Sequence, residues 1–212
     1  MQYDPKKHHR RSIRLPEWDY VQQGAYFVTI CAHDKRCMFG EIVSGMMWLS
    51  KCGAIVQEQW IRTGAVRDNV ELDAFVVMPN HLHGIVVLND PRVPVGATRW
   101  VARNAIGPPV QSWATHRVAP TGPDRIRAAG PEHGSLGAII GQFKPAATRA
   151  INRLRHTPGG LVWQRNYYEH VIRDEEEFNR IRQYIFDNPL EWDLDPENPE
   201  GHWRKRKEKW QV

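Results

Sequence analysis

Two histidines one residue apart, His81 and His83 in the run "MPNHLHG", are the first residues of this chain whose types and spacing suit chemistry. Side chains two apart on an extended strand leave the same face, so both imidazoles can aim at one point, as metal ligands must. A lone pair of this kind is weak evidence by itself, since histidine pairs that merely decorate a turn or a half-exposed strand are common. A second pair, Tyr184 and Asn188, lies in "RIRQYIFDNP". Four residues apart on a helix, they share one flank, at the edge of the apolar stripe formed by Phe178, Ile181 and Ile185. They project towards one spot beside a sheet. Ordinary structural roles for them are a tyrosine bonded to a loop carbonyl and an asparagine capping the helix before Pro189.

The elements that must position these residues can be read from pattern. "GAYFVTICAH" (24 to 33) has strand composition, and the short apolar piece "EIVSGMMWL" follows it. From Ser50, "SKCGAIVQEQWIRTGA" reads as a helix with Ile55, Val56, Gln59 and Trp60 on one side and Gly64 as a stop. "NVELDAFVVM" and "HLHGIVVLN" are strand-like runs joined by Pro79 and Asn80, which suit the second and third places of a type I turn. This hairpin places His81 and His83 at the start of its second strand. "SLGAIIGQFKPAATRAINRLRH" carries a helical apolar stripe, with Ser135 as N-cap and Pro145 expected to kink or restart the helix. "LVWQRNYYEHVIR" is strand-like, and "DEEEFNRIRQYIFDNP" opens with Asp174 as N-cap and glutamates where the helix dipole favours them. The order predicts an α+β fold, a mainly antiparallel sheet with helices on one face.

At 212 residues the chain suits one domain with a sizeable core. No apolar run approaches the length of a membrane span and the N-terminus lacks an apolar signal core, which predicts a cytoplasmic protein. Cys31, Cys37 and Cys52 form neither a disulfide framework nor a C-x-x-C pair. The net charge of +5 is unevenly spread. Residues 1 to 14, 89 to 134 and 201 to 212 together carry +11, leaving −6 for the rest. Positive arms and a positive loop on a negative domain are suited to a polyanion, and Trp203 and Trp210, interleaved with the basic tail, suit unpaired bases. Residues 89 to 134 hold seven prolines and five glycines and read as a flexible insertion. The domain plan is therefore a basic arm at 1 to 23, a domain at 24 to 192 that carries the insertion, and a basic tail at 193 to 212.

In this order and spacing, "MPNHLHG", "WQRNYYEHVIR" and "RIRQYIFDNPLEW" resemble the REP-associated tyrosine transposases, a branch of the single-tyrosine HUH transposases of bacteria. The similarity runs from about Arg14 to Trp192, interrupted by the insertion. It implies the ferredoxin-like or RRM-like fold of the HUH endonucleases. It also implies a divalent metal, Mg²⁺ or Mn²⁺, held by His81, His83 and Asn188, and Tyr184 as the nucleophile. The activity implied is nicking and rejoining of single-stranded DNA beside a REP-like hairpin through a 5′-phosphotyrosine linkage. Relatives act as monomers or as homodimers that exchange catalytic helices. Two imidazoles and one amide oxygen give a site without protein charge, which should bind metal weakly until a DNA phosphate joins it.

Residues expected to contact DNA are Lys144, Arg149 and Arg153 on the stripe-bearing helix, Trp163, Arg165 and Arg173 around the last strand, and Arg204, Lys205 and Arg206 in the tail. Tyr167 and Tyr168 are rival nucleophiles on adjacent positions of a strand, where at most one can face the metal; stacking on substrate or core packing suits them better. His170 is a rival ligand. Two competing functions stand beside the transposase: a catalytically silent, domesticated hairpin-binding protein, and a zinc hydrolase, disfavoured because Tyr and Asn stand where a carboxylate is expected.

Overall fold

The computed structural model describes residues 23–89 and 134–202. The expected basic arm, the body of the insertion, and Arg204, Lys205 and Arg206 of the tail lie outside the described residues. The described elements are β1 (Gly24–Cys31), β2 (Gly40–Val43), β3 (Met46–Leu49), α1 (Lys51–Ala65), β4 (Val70–Val77), β5 (His81–Leu88), α2 (Leu136–Arg155), β6 (Tyr168–Ile172) and α3 (Glu175–Asp187). Short 3₁₀ turns lie at His33–Lys35 and Trp192–Leu194.

Strands β4, β5, β1 and β6 pair in that order, every pair antiparallel. The series β1-α1-β4-β5-α2-β6 is the ferredoxin-like arrangement, so the α+β expectation holds. The apolar piece after β1 is a separate β2–β3 ribbon, turned at Ser44 and Gly45, both with positive φ as a two-residue hairpin loop requires.

The expectation of helices on one face is corrected: α1 and α2 cover one face, and α3 lies on the other. Tyr26, Val28 and Ile30 of β1 pack with Val56 and Trp60 of α1 and Ile139, Ile140 and Phe143 of α2. The intervening Ala25 and Phe27 pack with Ile85 and Val87 of β5 and with Phe178 and Ile185 of α3. The reason is visible in the inner strands, where "GAYFVTIC" and "HLHGIVVL" do not alternate between apolar and polar. A sheet that is apolar on both sides has to be covered on both.

The caps behave as expected. Ser50, Ser135 and Asp174 each accept a backbone N–H at the start of α1, α2 and α3. Pro145 neither ends nor restarts α2, which runs unbroken from Leu136 to Arg155. Its ring removes a bond to the carbonyl of Gly141, and both residues lie on the exposed side, where water can serve that oxygen. Gly84, the last residue of "HLHG", has a packing role: a Cβ there would meet the Trp60 indole of α1 at 2.7 Å. Among the described residues no helix is long and apolar enough to cross a membrane.

Candidate metal centre

On β5, His81 and His83 point to the α3 face, opposite Cys31 and Thr29 of β1. Both are buried, at 0% and 3% exposure, because β5 is an inner strand. The turn residue Asn80 fixes the protonation of His81. Its Nδ2 donates to the carbonyls of Lys35 and Glu197, at 3.1 and 2.7 Å, so its Oδ1 is the atom 2.8 Å from His81 Nδ1. An amide oxygen only accepts, so His81 carries its proton on Nδ1 and presents a bare lone pair at Nε2. That Nε2 is buried without a hydrogen-bond partner. Burial, then the neighbouring His83, keeps the His81 pKa well below the usual 6.5, so the ring is neutral. His83 Nδ1 is matched to Thr29 Oγ1 at 2.9 Å, the outer support that metal-bound histidines ordinarily have.

A carboxylate completes the group. Asp195 Oδ2 lies 3.8 Å from His81 Nε2 and 3.9 Å from His83 Nε2, and one ligand atom from each of the three residues falls within 4.8 Å of the others. Burial opposes ionisation of Asp195. The facing His83 and His81 and the Glu197 amide, which donates to Oδ1 at 2.6 Å, outweigh it and hold the carboxyl at about 2. Asn188 Nδ2 donates to Asp195 Oδ2 at 3.1 Å, leaving Asn188 Oδ1 buried without a partner. A buried polar atom left unmatched costs about 1 to 3 kcal/mol. Two such atoms beside a carboxylate are what a divalent cation would satisfy, and the donors fit one. The sequence-based expectation is a site without protein charge, and Asp195 places a carboxylate beside its two histidines.

Tyr184 reaches this group from α3. Its hydroxyl lies 3.2 Å from His83 Nε2, within hydrogen-bond reach, and its ring meets Phe27 edge-on at 6.0 Å between centroids. Helix α3 is held by Phe178 and Ile185 in the core and by a two-pronged ion pair, in which Arg182 Nε and Nη2 donate to the two carboxylate oxygens of Asp73 on β4 at 2.6 and 2.5 Å.

The remaining candidates separate clearly. His170 bonds Glu177 of α3 at 2.8 Å and is no part of the centre. Tyr167 packs against the α1/α2 side of the sheet, whereas Tyr168 lies on the α3 side, half-exposed. Trp163 is a core residue rather than a stacking surface: it packs against Phe39 and Phe143, and its Nε1–H donates to the Lys144 carbonyl. The Lys144 ammonium is occupied by the carbonyls of Gln164, Arg165 and Asn166. Burial lowers its pKa to about 8, and its donors are taken up by those carbonyls. Arg149 and Arg153 line a groove of about 590 Å³ with Arg62 of α1, on the face away from Tyr184. Arg165 and Arg173 are exposed.

Asp195, Asn80 and Thr29 were missed as site residues. The signal for Asp195 was "DLDPENP", an acidic and proline-broken stretch assigned to the tail because the charge beyond it is basic. Residues 193–202 instead fold back over the sheet end. Asn80 Nδ2 and Lys35 Nζ hold the carbonyls of Glu197 and Pro196, and the Cys31 thiol donates to Glu197 Oε2 at 3.2 Å. Burial and then Glu197 push the Cys31 pKa up to about 12, which leaves an inert thiol.

No family model matches the chain. An uncharacterised protein of Haemophilus influenzae is 35% identical over 196 residues, which span 91% of this chain and 95% of that protein. Among solved structures, a REP-associated tyrosine transposase bound to a REP hairpin aligns with a TM-score of 0.51 at 18% identity, over 84% of this chain and 74% of its own. A proposed transposase of Deinococcus radiodurans aligns with a TM-score of 0.37 at 16% identity, over 82% of this chain and 97% of its own. At such identity the first of these shows the fold.

Proposed function

We propose, for a chain that belongs to one family with the uncharacterised Haemophilus influenzae protein and has the fold of a REP-associated tyrosine transposase, that it nicks and rejoins single-stranded DNA beside a hairpin. The observation that carries the reading is Tyr184, whose hydroxyl sits 3.2 Å from His83 Nε2 at the rim of the buried His81–His83–Asp195 group. A free phenol has a pKa of about 10 and is a weak nucleophile at neutral pH. Placed beside a phosphodiester, the Tyr184 oxygen forms a bond to phosphorus as the bond to the 3′ oxygen breaks. The phenolic proton is released, the departing 3′ oxygen gains one, and the ester is exchanged rather than hydrolysed. The resulting 5′-phosphotyrosine keeps the energy needed for rejoining.

His81, His83 and Asp195, with Asn188 through its unpaired oxygen, would hold a divalent cation, Mg²⁺ or Mn²⁺. Such an ion supplies charge that polarises the scissile phosphate and orients it for in-line attack. Asn80 and Thr29 orient the two imidazoles, and the Asp73–Arg182 pair holds α3 so that Tyr184 stays aimed. Exposed Arg165 and Arg173, and Arg149 and Arg153 in their groove, are open to DNA phosphates, and the positive charge of Arg204, Lys205 and Arg206 suits the same partner.

The test is covalent capture. With Mn²⁺ and a labelled oligonucleotide hairpin bearing single-stranded flanks, the protein should form a label-bearing adduct stable to denaturant. Tyr184→Phe should form none while still binding the hairpin. An adduct in that variant refutes the nucleophile. Asp195 also favours a second reading, a metal-dependent hydrolase, since two histidines and a carboxylate are a hydrolytic donor set. That reading gives cleavage of the phosphodiester with no adduct at any time.

A further inference from the structure

Resting on that strand-cleavage reading, we propose that Tyr168 is the platform on which an unpaired base beside the scissile phosphate stacks. Thr29 of β1 is the cross-strand partner both of His83 on β5 and of Tyr168 on β6. Directly paired residues of antiparallel strands share a face, so His83, Thr29 and Tyr168 stand in one row on the α3 side of the sheet. At about 4.8 Å per strand, Tyr168 lies roughly 10 Å from His83 along that row. This is too far for Tyr168 to replace Tyr184 at the metal centre, and near enough for an adjacent nucleotide.

Phe27 joins the two. Its ring stacks on His83 at 5.3 Å, meets Tyr184 edge-on at 6.0 Å, and meets Tyr168 edge-on at 6.3 Å. Phe27 is thus the ring between the nucleophile and Tyr168, and it props Tyr168 from the inner side. Phe27 is 9% exposed and His83 3%, whereas Tyr168 is 49% exposed. Strand β6 is the sheet edge, with no further strand beside it among the described residues. A braced aromatic with an open face, two strand spacings from the ligand-bearing strand β5, suits a base whose phosphate lies at Tyr184. Such stacking tolerates any base, because every base has a π face.

The test uses Tyr184→Phe as the reference, so that the DNA stays intact. A hairpin oligonucleotide with a single-stranded flank carries 2-aminopurine at successive flank positions, and fluorescence quenching and affinity are read together. We expect quenching at one position in the reference. Adding Tyr168→Ala should abolish it and weaken binding of the flanked hairpin about 5- to 150-fold. Adding Tyr168→Trp should restore both, and a hairpin without flanks should bind all three proteins equally. Unchanged quenching and affinity in the alanine variant overturn the inference, as does an equal loss on the hairpin without flanks. The functional reading fails separately, when the wild-type protein forms no adduct. If the adduct forms but Tyr168→Ala changes nothing, only the stacking role is lost.

Discussion

Replacing Asp195 by asparagine keeps the volume of the side chain and removes the carboxylate that, among the described residues, faces both histidines. The carboxylate accepts from Asn188 Nδ2 and from the Glu197 amide, so an asparagine can keep one bond and must turn its NH₂ towards the other donor. That conflict weakens the metal-free protein by about 1 to 3 kcal/mol, so the informative quantity is the difference between metal and chelator. Loss of a mere supporting group costs metal affinity about 10- to 100-fold, and loss of a charged ligand should reach at least the upper end. At manganese about 100 times its dissociation constant, the wild-type protein gains roughly 2.7 kcal/mol, which for a chain of this size raises Tm by about 5 to 10 °C. A variant binding about 100-fold more weakly gains only about 0.4 kcal/mol at that concentration, or about 1 °C. The assay is thermal unfolding of both proteins in Mn²⁺ and in chelator. An Asp195→Asn protein with the full manganese shift, beside an Asn188→Ala protein that has lost it, would refute the reasoning. The third ligand would then be the Asn188 oxygen, with Asp195 only holding it in place.

His81→Ala or His83→Ala should abolish metal-dependent cleavage on a denaturing gel. Because both rings are buried on an inner strand, each should also lower metal-free stability by about 1 to 3 kcal/mol in urea titrations, more than ligands at a sheet edge would. His81 has a folded pKa below that of the unfolded chain, so the unfolded state takes up the proton first. Stability should be full above about pH 6.5 and fall as pH drops below it, and His81→Ala should flatten that slope. At the other end of the site, Asp73→Ala and Arg182→Ala should each slow adduct formation by loosening α3. A double-mutant cycle on stability should give a coupling of about 1 to 2 kcal/mol, and additive effects would show that the pair does not tether the helix.

The sequence by itself determined whatever depends on near neighbours. The two-residue period of a strand put His81 and His83 on one face, and the helical period put Tyr184 and Asn188 on one flank. Ser50, Ser135 and Asp174 marked the helix starts because a cap acts on amides two or three residues away. Tertiary structure decided what depends on closing long loops. Tyr184 meets His83 across 101 positions and Arg182 meets Asp73 across 109, and no local period reports such a contact. The side of the sheet that α3 takes follows from both faces of β1 and β5 needing cover, which the strand composition contained but the element order did not. Trp163 and Lys144, both candidates for DNA contact by sequence, are taken up by core rings and by backbone carbonyls that no local period reports. Asp195 stands only seven positions after Asn188, yet it reaches the site because Asn80, Lys35 and Cys31 draw residues 195–197 back onto the sheet end. Those hydrogen bonds join segments more than a hundred residues apart, and only the folded chain brings them within reach.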